Sequence, residues 1–290
     1  SELAPDLIRR LVERGLLRER RGRYYPDVSL VYPAQNVNIR SAGSGYRVME
    51  RAGGNLLETV DGSVALSQLH PGAVYLHQGE TYVVLDLDLR GRSAWVERRD
   101  TDYYTVAREL NDIRVVSVKA EKVCGGTHVH LGSVQVTSNV VGFRKRRQYT
   151  EEHLGEEPLD LPETTFLTEG FWFDVPAEAA DRVAACFASF AGALHACEHA
   201  VIGVLPLFAL CDRNDIGGVS TLSDNGSEVP RVYVYDAHPG GVGIAEMGYE
   251  LVERLWQATL TLVGDCPCAD GCPSCIQSPK CGNNNEPLDK

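Results

Sequence analysis

Cysteine thiols are concentrated near the end of the chain, in the run CPCADGCPSCIQSPKC, which holds Cys266, Cys268, Cys272, Cys275 and Cys281. A Cys-x2-Cys pair around a proline forms a tight turn that directs two thiolates at one ion, and Zn²⁺ takes four such ligands in a tetrahedron. Cys272 and Cys275 form such a pair and are the best ligand candidates. Cys268 is the next candidate, and Cys266 and Cys281 compete for the fourth ligand position. The spacing therefore predicts a structural zinc site made from four of these five. An iron–sulfur cluster also needs four cysteines, and unligated or disulfide-bonded cysteines are the simplest alternative.

A second candidate centre is the segment His195-Ala-Cys-Glu198-His199, which matches the H-x-x-E-H pattern of inverted zincins. On a helix the two histidines lie one turn apart on one face, with Glu198 close enough to act as a base. A third ligand would have to come from downstream, for example Glu246 or Glu250. The motif predicts a metallohydrolase as the alternative function of the chain. The alternative is that the two histidines have no metal and simply pack in the core or cap a helix.

Two loops carry residues suited to charged ligands. Residues 211–218 contain Asp212 and Asp215, which suit a cation and equally suit a simple turn. Residues 238–243 form a glycine-rich turn between a predicted strand and a predicted helix, where backbone amides can hold a phosphate. The sequence has no G-x-x-x-x-G-K-[ST] motif and no Asp-Glu-x-His or Asp-Glu-x-Asp box. We therefore predict that this chain alone has no ATPase activity.

The net charge of −12, from 28 basic and 40 acidic residues, is unevenly distributed. A uniformly acidic surface would repel nucleic acid. However, seven arginines and only two glutamates lie between Arg9 and Arg23, and residues 144–147 are four consecutive cations. Residues 151–178 hold nine acidic side chains and no lysine or arginine. The overall sign therefore does not exclude a nucleic-acid partner.

Clusters of cations neutralise phosphates, and neighbouring aromatic rings stack on bases. The predicted nucleic-acid contacts are Arg9, Arg10, Arg14, Arg18, Arg20, Arg21, Arg23, Arg144, Lys145, Arg146 and Arg147. The predicted stacking partners are Tyr24, Tyr25, Phe143 and Tyr149. The alternative is that both charge runs are solvated edges of a hairpin and a strand.

The first residues show a helix followed by a hairpin. Apolar side chains at helical spacing predict a helix over residues 5–15, with Gly15 as its cap. Residues 16–20 and 23–26 are predicted strands around the turn Arg21-Gly22. This order is typical of the last helix and wing of a winged-helix module, whose first part is missing. We therefore expect the chain, which begins with Ser1, to be a piece of a longer protein. A plain helix and hairpin is the alternative.

The rest of the chain predicts a mixed α+β fold. Short alternating strands separated by glycine turns over residues 28–150 indicate a small β-barrel-like module or two packed sheets. An acidic connector then leads into helical and strand patterns, so that residues 151–290 are predicted to form an α/β domain ending in the zinc site. Residues 1–27 form the winged-helix remnant. The sequence thus predicts three domains.

No segment predicts membrane insertion or secretion. The longest charge-free apolar stretch near the middle, Ala200–Cys211, contains Pro206 and is shorter than the ~20 residues of a membrane helix. Arg9 and Arg10 interrupt any apolar leader. The odd number of cysteines does not suit a disulfide framework. We expect a cytoplasmic, nucleoid-associated protein with no membrane partner.

Three long segments together resemble the C-terminal region of the MrfA-like superfamily 2 DNA repair helicases. They are HPGAVYLHQGETYVVLDLDL, YDAHPGGVGIAE and CPCADGCPSCIQSPKCGNNNEPLDK, and the resemblance covers nearly the whole chain. It implies that the family's zinc cysteines fall within Cys266–Cys281, in the domain called the MrfA zinc-binding domain.

The resemblance also implies an activity and partners. ATP-dependent 3′–5′ unwinding would be performed by two motor domains that precede this region in the parent chain and bind ATP and Mg²⁺. What remains here would guide or grip single-stranded DNA, and the His195–His199 match would be a coincidence. A purely structural interaction module is a third possibility. Salt-sensitive binding to single-stranded DNA would distinguish the helicase accessory region from such a structural module. A second, histidine-bound zinc ion would favour the metallohydrolase.

Overall fold

The structure is a computed structural model. It describes residues 3–20, 22–27, 45–186, 188–223 and 229–290. The chain divides into two compact units, Ser1–Ala42 and Gly43–Lys290, and each is described separately.

The first unit opens with a helix, α1 (Leu3–Glu13). The chain leaves this helix through Gly15, whose φ of +70° favours glycine. The amide of Leu16 donates to the carbonyl of Leu11 and that of Gly15 to Val12, both at 2.9 Å. These two bonds satisfy carbonyls that the end of a helix leaves unpaired. The predicted helix and its glycine cap are confirmed.

A two-stranded hairpin follows the helix. Strands β1 (Leu17–Arg20) and β2 (Arg23–Pro26) pair antiparallel, and Gly22 takes a φ of +72° in the turn. Arg20 lies directly opposite Arg23 in this register. The helix and hairpin predicted from the sequence are therefore present, while their assignment to a winged-helix module stays a prediction.

The second unit begins with a five-stranded sheet in the order β4-β3-β7-β6-β5. Its strands are β3 (Tyr46–Glu50), β4 (Leu56–Val60), β5 (Val74–His77), β6 (Glu80–Asp88) and β7 (Ser93–Arg98). Strands β3 and β7 are parallel, and the other pairs are antiparallel. A short helix, α2 (Gly62–Gln68), is capped by the side chain of Asp61, and its buried Ala65 packs in the core of this sheet.

A six-stranded sheet forms the centre of the second unit. Its strands are β8 (Tyr103–Cys124), β9 (Thr127–Arg147), β10 (His153–Pro158), β11 (Thr164–Asp174), β12 (Ile216–Thr221) and β13 (Arg231–Asp236). The order is β10-β9-β11-β13-β12, with β8 also paired to β9. The predicted domain limit at residue 150 therefore falls between strands of one sheet, because β9 pairs with β8 before this point and with β10 and β11 after it. The limits of the domains stay predictions.

Helices cover one face of the six-stranded sheet. They are α3 (Ala177–Ala185), α4 (Phe190–Val204), α5 (Ile244–Glu250) and α6 (Val252–Asp265). The apolar pattern over residues 244–263 predicts one helix, but the structure interrupts it at Leu251, which caps α5 with a non-helical ψ of +15°. The mixed α+β fold class, with its barrel-like β module, is confirmed.

The core follows from strand alternation, which places successive side chains on opposite faces. Phe171 and Val234 face the helices and pack in one cluster with Leu194 and Leu255. Trp172, the next residue of β11, belongs to a second cluster on the other face. Helix α4 buries eight of its residues, and 56% of the apolar stretch Phe190–Leu207 is buried. That stretch is long and apolar enough to cross a membrane by composition, but its burial is that of a core helix.

Candidate metal centre

Four cysteine sulfurs converge directly after helix α6. The Sγ atoms of Cys266 and Cys268 are 3.5 Å apart, and those of Cys268 and Cys275 are 3.4 Å apart. Cys272 completes the group, with its sulfur 3.6 Å from that of Cys266 and 3.7 Å from that of Cys275. Zn–S bonds of about 2.3 Å in a tetrahedron place sulfurs about 3.8 Å apart. The four thiols therefore have the spacing of a tetrahedral zinc site.

The backbone around Cys272 forms the tight turn predicted for the Cys-Pro-Ser-Cys segment. The amide of Cys272 donates to the sulfur of Cys275 at 3.3 Å. A hydrogen bond from the backbone of Ser274, together with contacts from neighbouring thiols, lowers the pKa of Cys272 to about 7. Gly271 precedes the turn with a φ of +95°, and a Cβ there would lie 2.4 Å from Ile276. The turn thus favours the thiolate form that a metal requires.

Helix α4 packs against this cysteine cluster. Ala196 and Ala200 lie one turn apart on that helix and pack with the buried Cys275 and Ile276. Small side chains at these two positions let the cysteine turn approach the helix closely. Leu288, near the end of the chain, packs on the same cluster.

The last residues also hold the cluster through polar contacts. Lys290 donates through Nζ to the carbonyls of Cys266 and Cys268, at 2.6 and 2.8 Å. The backbone amide of Ser189, at the start of α4, donates to the carboxylate of Asp289 at 2.7 Å. The tail is therefore tied to α4 and to the cysteine loop at once.

The fifth cysteine of the sequence motif does not join the other four. Cys281 lies instead beside His195 and His199, and the ligand atoms of these three residues lie within 4.8 Å of one another. Burial alone would raise the pKa of Cys281, but the neighbouring imidazole of His199 and hydrogen bonds from backbone amides outweigh it and lower that pKa. The structure thus divides the five cysteines into a group of four and one that accompanies the two histidines.

The predicted metallohydrolase site is not assembled as the motif requires. Glu198 points to strand β12, where it hydrogen-bonds Ser220, and its burial raises its pKa. A Cβ at Gly218 would lie 3.0 Å from the Glu198 carboxylate. Among the described residues, the group that contains His195 and His199 includes neither Glu246 nor Glu250. The pattern therefore lacks both its base and its carboxylate ligand.

The glycine-rich turn does not offer its amides to a phosphate. Asp236, which is fully buried, accepts hydrogen bonds from the amides of Val242, Gly243 and Ala245. The carboxylate thus occupies the position at the start of α5 that an anion would take. The turn is a structural device that fastens β13 to α5.

The polar loop before β12 is explained by capping. The side chain of Asp212 accepts from the amide of Asn214, and that of Asp215 accepts from the amide of Asp212, both at 2.8 Å. These reciprocal bonds cap the 3₁₀ turn Arg213–Asp215. The interpretation of these aspartates as turn residues is therefore confirmed.

The four consecutive cations at the end of β9 are all engaged by acidic side chains. Antiparallel pairing brings the acidic strand β10 alongside them. The pairs are Arg144–Glu156 at 2.6 Å, Lys145–Glu157 at 2.5 Å, Arg146–Glu151 at 3.4 Å, and Arg147 with Asp102 and Glu152 at 2.5 and 2.9 Å. Their positive charge is locally balanced, which weakens the attraction of this patch for phosphate.

The arginines of the first unit lie on its helix and its hairpin. Arg9, Arg10 and Arg14 are exposed on α1, and Arg18, Arg20 and Arg23 are exposed on the hairpin. Arg18 pairs with Asp27. In the part of the chain that the structure describes, Arg20 and Arg23 form no ion pair. Arg21 lies outside the described residues.

The aromatic rings predicted to stack on bases differ in their exposure. Tyr24 and Tyr25 are about half exposed on the hairpin, and Tyr149 is almost fully exposed. Phe143 is buried and packs against the ring of His70 at 4.5 Å, so it cannot stack on a base.

Comparison with known proteins gives one family and several relatives. Residues 197–276 match the family described as the MrfA Zn-binding domain. The chain is 31% identical to the uncharacterized ATP-dependent helicase YprA of Bacillus subtilis over 276 residues, which are 93% of this chain and 36% of that protein. It is 25% identical to the ATP-dependent helicase HRQ1 of Saccharomyces cerevisiae, over 90% of this chain and 26% of that protein.

Solved structures agree with these relatives. A crystal structure of the DUF1998 helicase MrfA bound to DNA is 28% identical, with a TM-score of 0.57 over 97% of this chain and 38% of that one. A crystal structure of the DUF1998 helicase MrfA gives a TM-score of 0.59 and 26% identity over 93% of this chain and 38% of that one. The chain thus spans about a third of the length of the helicases that it matches.

Proposed function

This chain belongs to the family formed by the C-terminal regions of the MrfA-like helicases, and on that premise we propose that it is the accessory part of an ATP-dependent 3′–5′ DNA helicase that acts in DNA repair. In this role it grips or guides single-stranded DNA. Motor domains of the same parent chain bind ATP and Mg²⁺ and supply the unwinding. The match to a helicase bound to DNA, over 97% of this chain, supports DNA as the partner.

The observation that carries the proposal is the facing pair Arg20 and Arg23 at the end of the hairpin. Like charges directly opposite each other across two strands destabilise the pairing. An anion between or above them relieves this repulsion, and a nucleic-acid backbone supplies a row of such anions. Both side chains are exposed. The hairpin would therefore serve as the wing of a winged-helix module.

The hairpin also presents apolar surface beside these charges. In the strand register Arg18 lies opposite Tyr25, on the face shared with Arg20 and Arg23. Tyr25 is 47% exposed, which leaves its ring accessible to a base. Cations next to an accessible ring are the combination that single-stranded nucleic acids favour. Arg144, Lys145, Arg146 and Arg147 stay predicted contacts, but their ion pairs make the hairpin the stronger candidate.

The proposal includes a structural zinc ion held by Cys266, Cys268, Cys272 and Cys275. Their sulfur spacing and the buried support from α4 fit Zn²⁺. Four thiolates leave no open position for a substrate, so the metal would be structural. Bound there, it would order the tail. We also propose the cytoplasm, in association with the nucleoid, as the site of action.

Equilibrium binding to labelled DNA tests the proposed function. The purified chain is titrated against a fluorescent single-stranded oligonucleotide and against a duplex of the same length at low salt. We expect the single strand to bind more tightly, with affinity that falls steeply as salt rises. A structural interaction module would bind neither the single-stranded oligonucleotide nor the duplex at any salt concentration, and that result would overturn the proposal.

A further inference from the structure

His195, His199 and Cys281 lie together, although the second histidine and the cysteine are 82 positions apart in the sequence. We propose that they form a second zinc site, separate from the four-cysteine site, which fastens the tail to helix α4. The site combines two imidazoles and one thiolate, a ligand set that Zn²⁺ accepts.

The distance between the ligand atoms fits a shared ion. The sulfur of Cys281 lies 3.5 Å from Nε2 of His195. A zinc ion with Zn–S and Zn–N bonds of about 2.3 and 2.0–2.1 Å in tetrahedral geometry places these atoms about 3.6 Å apart. The two imidazole rings are adjacent, with centroids 4.3 Å apart. One ion can therefore reach all three groups.

Backbone carbonyls orient both rings as in metal sites. Nδ1 of His195 lies 2.9 Å from the carbonyl of Pro287, and Nδ1 of His199 lies 2.9 Å from the carbonyl of Ile276. A carbonyl only accepts, so Nδ1 carries the proton in each ring and the lone pair lies on Nε2. A carbonyl behind a ligating histidine fixes its tautomer and raises its basicity.

Hydrogen bonding without a metal accounts for only part of this arrangement. A thiol has one proton, and two imidazole lone pairs compete for it. The amide of Asn285 donates to the sulfur of Cys281 at 3.2 Å, which suits a sulfur that carries negative charge. A cation bound by all three groups satisfies both nitrogens and the sulfur together.

The site has a structural role and not a hydrolytic one. Glu198 is turned toward Ser220 and Gly218, away from the position of a general base. Three protein ligands leave a fourth position for water, as in catalytic zinc sites, but the Glu198 carboxylate that would activate this water is directed elsewhere. The ion would hold Cys281 against one face of α4, while the four-cysteine cluster packs on Ala196 and Ala200 of the same helix.

Metal content of the whole 290-residue chain tests the proposal. The chain is purified from zinc-supplemented cells without chelators, and zinc is measured by mass spectrometry. We expect two zinc ions per chain in the wild type and one in Cys281→Ser and in His195→Gln. Cys186→Ser, which changes an exposed cysteine outside both clusters, is the matched control and should keep two.

X-ray absorption at the zinc edge of the wild type gives a test that does not depend on variants. The four-cysteine site contributes only sulfur, so imidazole nitrogen in the spectrum reports the second site even if a substitution disturbs the tail. One zinc ion with sulfur ligands alone would overturn the proposal. Two ions that persist in both Cys281→Ser and His195→Gln would overturn it as well. DNA binding does not enter this measurement, so its outcome is independent of the proposed function.

Discussion

His199 and Ile276 join the central helix to the cysteine-rich tail through one buried hydrogen bond, from Nδ1 of the histidine to the backbone carbonyl at 2.9 Å. Ile276 is itself buried and packs on the same helix. Few other large apolar residues follow Asp265, so the tail buries little surface of its own. Its order must therefore depend on such specific bonds and on the cysteine cluster.

We predict that loss of one cluster cysteine releases a metal and loosens the tail. Cys272→Ser or Cys275→Ser removes a thiolate that completes the tetrahedron, and metal binding supplies much of the folding energy of small cysteine sites. Zinc content should fall by one ion per chain, and limited proteolysis should cut after residue 265 more rapidly. Cys211→Ser serves as the control. Full zinc retention in both variants would refute the assignment.

Stability should depend on pH through His70. This side chain is almost fully buried, and burial lowers its pKa below the usual 6.5, despite a hydrogen bond to Pro71. The unfolded chain therefore takes up the proton first as the pH falls, so stability present above pH 6.5 is lost below it.

The variant His70→Gln isolates this effect. It cannot be protonated, so its free energy of unfolding should vary less than that of the wild type between neutral and mildly acidic pH. Urea denaturation across this range measures the difference. The exposed His153→Gln is the control and should follow the wild type. Parallel curves for the wild type and His70→Gln would contradict the prediction.

Close packing between α5 and β11 makes Gly248 sensitive to substitution. A Cβ at this position would lie 2.4 Å from the buried ring of Phe171. Gly248→Ala should therefore destabilise the protein by about 1–3 kcal/mol. Gly264→Ala, on α6, meets nothing within 4 Å and should be neutral or stabilising, because alanine favours helix. Thermal unfolding distinguishes the two, and equal midpoints would show that the packing has been misjudged.

The carboxylate of Asp236 should be needed for the glycine-rich turn. It is fully buried and accepts three backbone amides, including that of Ala245 at 2.7 Å. In Asp236→Asn one side-chain oxygen becomes a donor that faces a donor, and an unsatisfied buried group costs about 1–3 kcal/mol. Asp212→Asn is the matched control, since asparagine caps as well as aspartate. Similar unfolding free energies for both variants would exclude this role for Asp236.

Local patterns in the sequence predict much of this fold. Alternation identifies strands such as Glu80–Asp88, and the spacing of Cys272 and Cys275 identifies a metal-binding turn. Both features depend on residues close together in the chain. The division of the five cysteines could not be predicted, because Cys281 meets His195 across 86 residues.

Strand register accounts for the other differences. The sequence predicts that the cation run at residues 144–147 contacts phosphate, but the pairing of β9 with β10 brings Glu156 and Glu157 beside it. Long-range pairing also joins strands on both sides of residue 150 into one sheet. Charge patterns in a sequence show which signs are present and not which side chains meet.

The salt dependence of single-stranded DNA binding tests the central claim, contact between the hairpin and DNA, most directly. Each neutralised phosphate adds roughly 0.7 to the slope of log affinity against log salt. Arg20→Gln with Arg23→Gln should lower this slope by roughly 1.4 and weaken binding. Lys145→Gln with Arg147→Gln removes the same charge from ion-paired residues and should change the slope less. Equal slopes and affinities for the wild type and the hairpin variant would contradict the account.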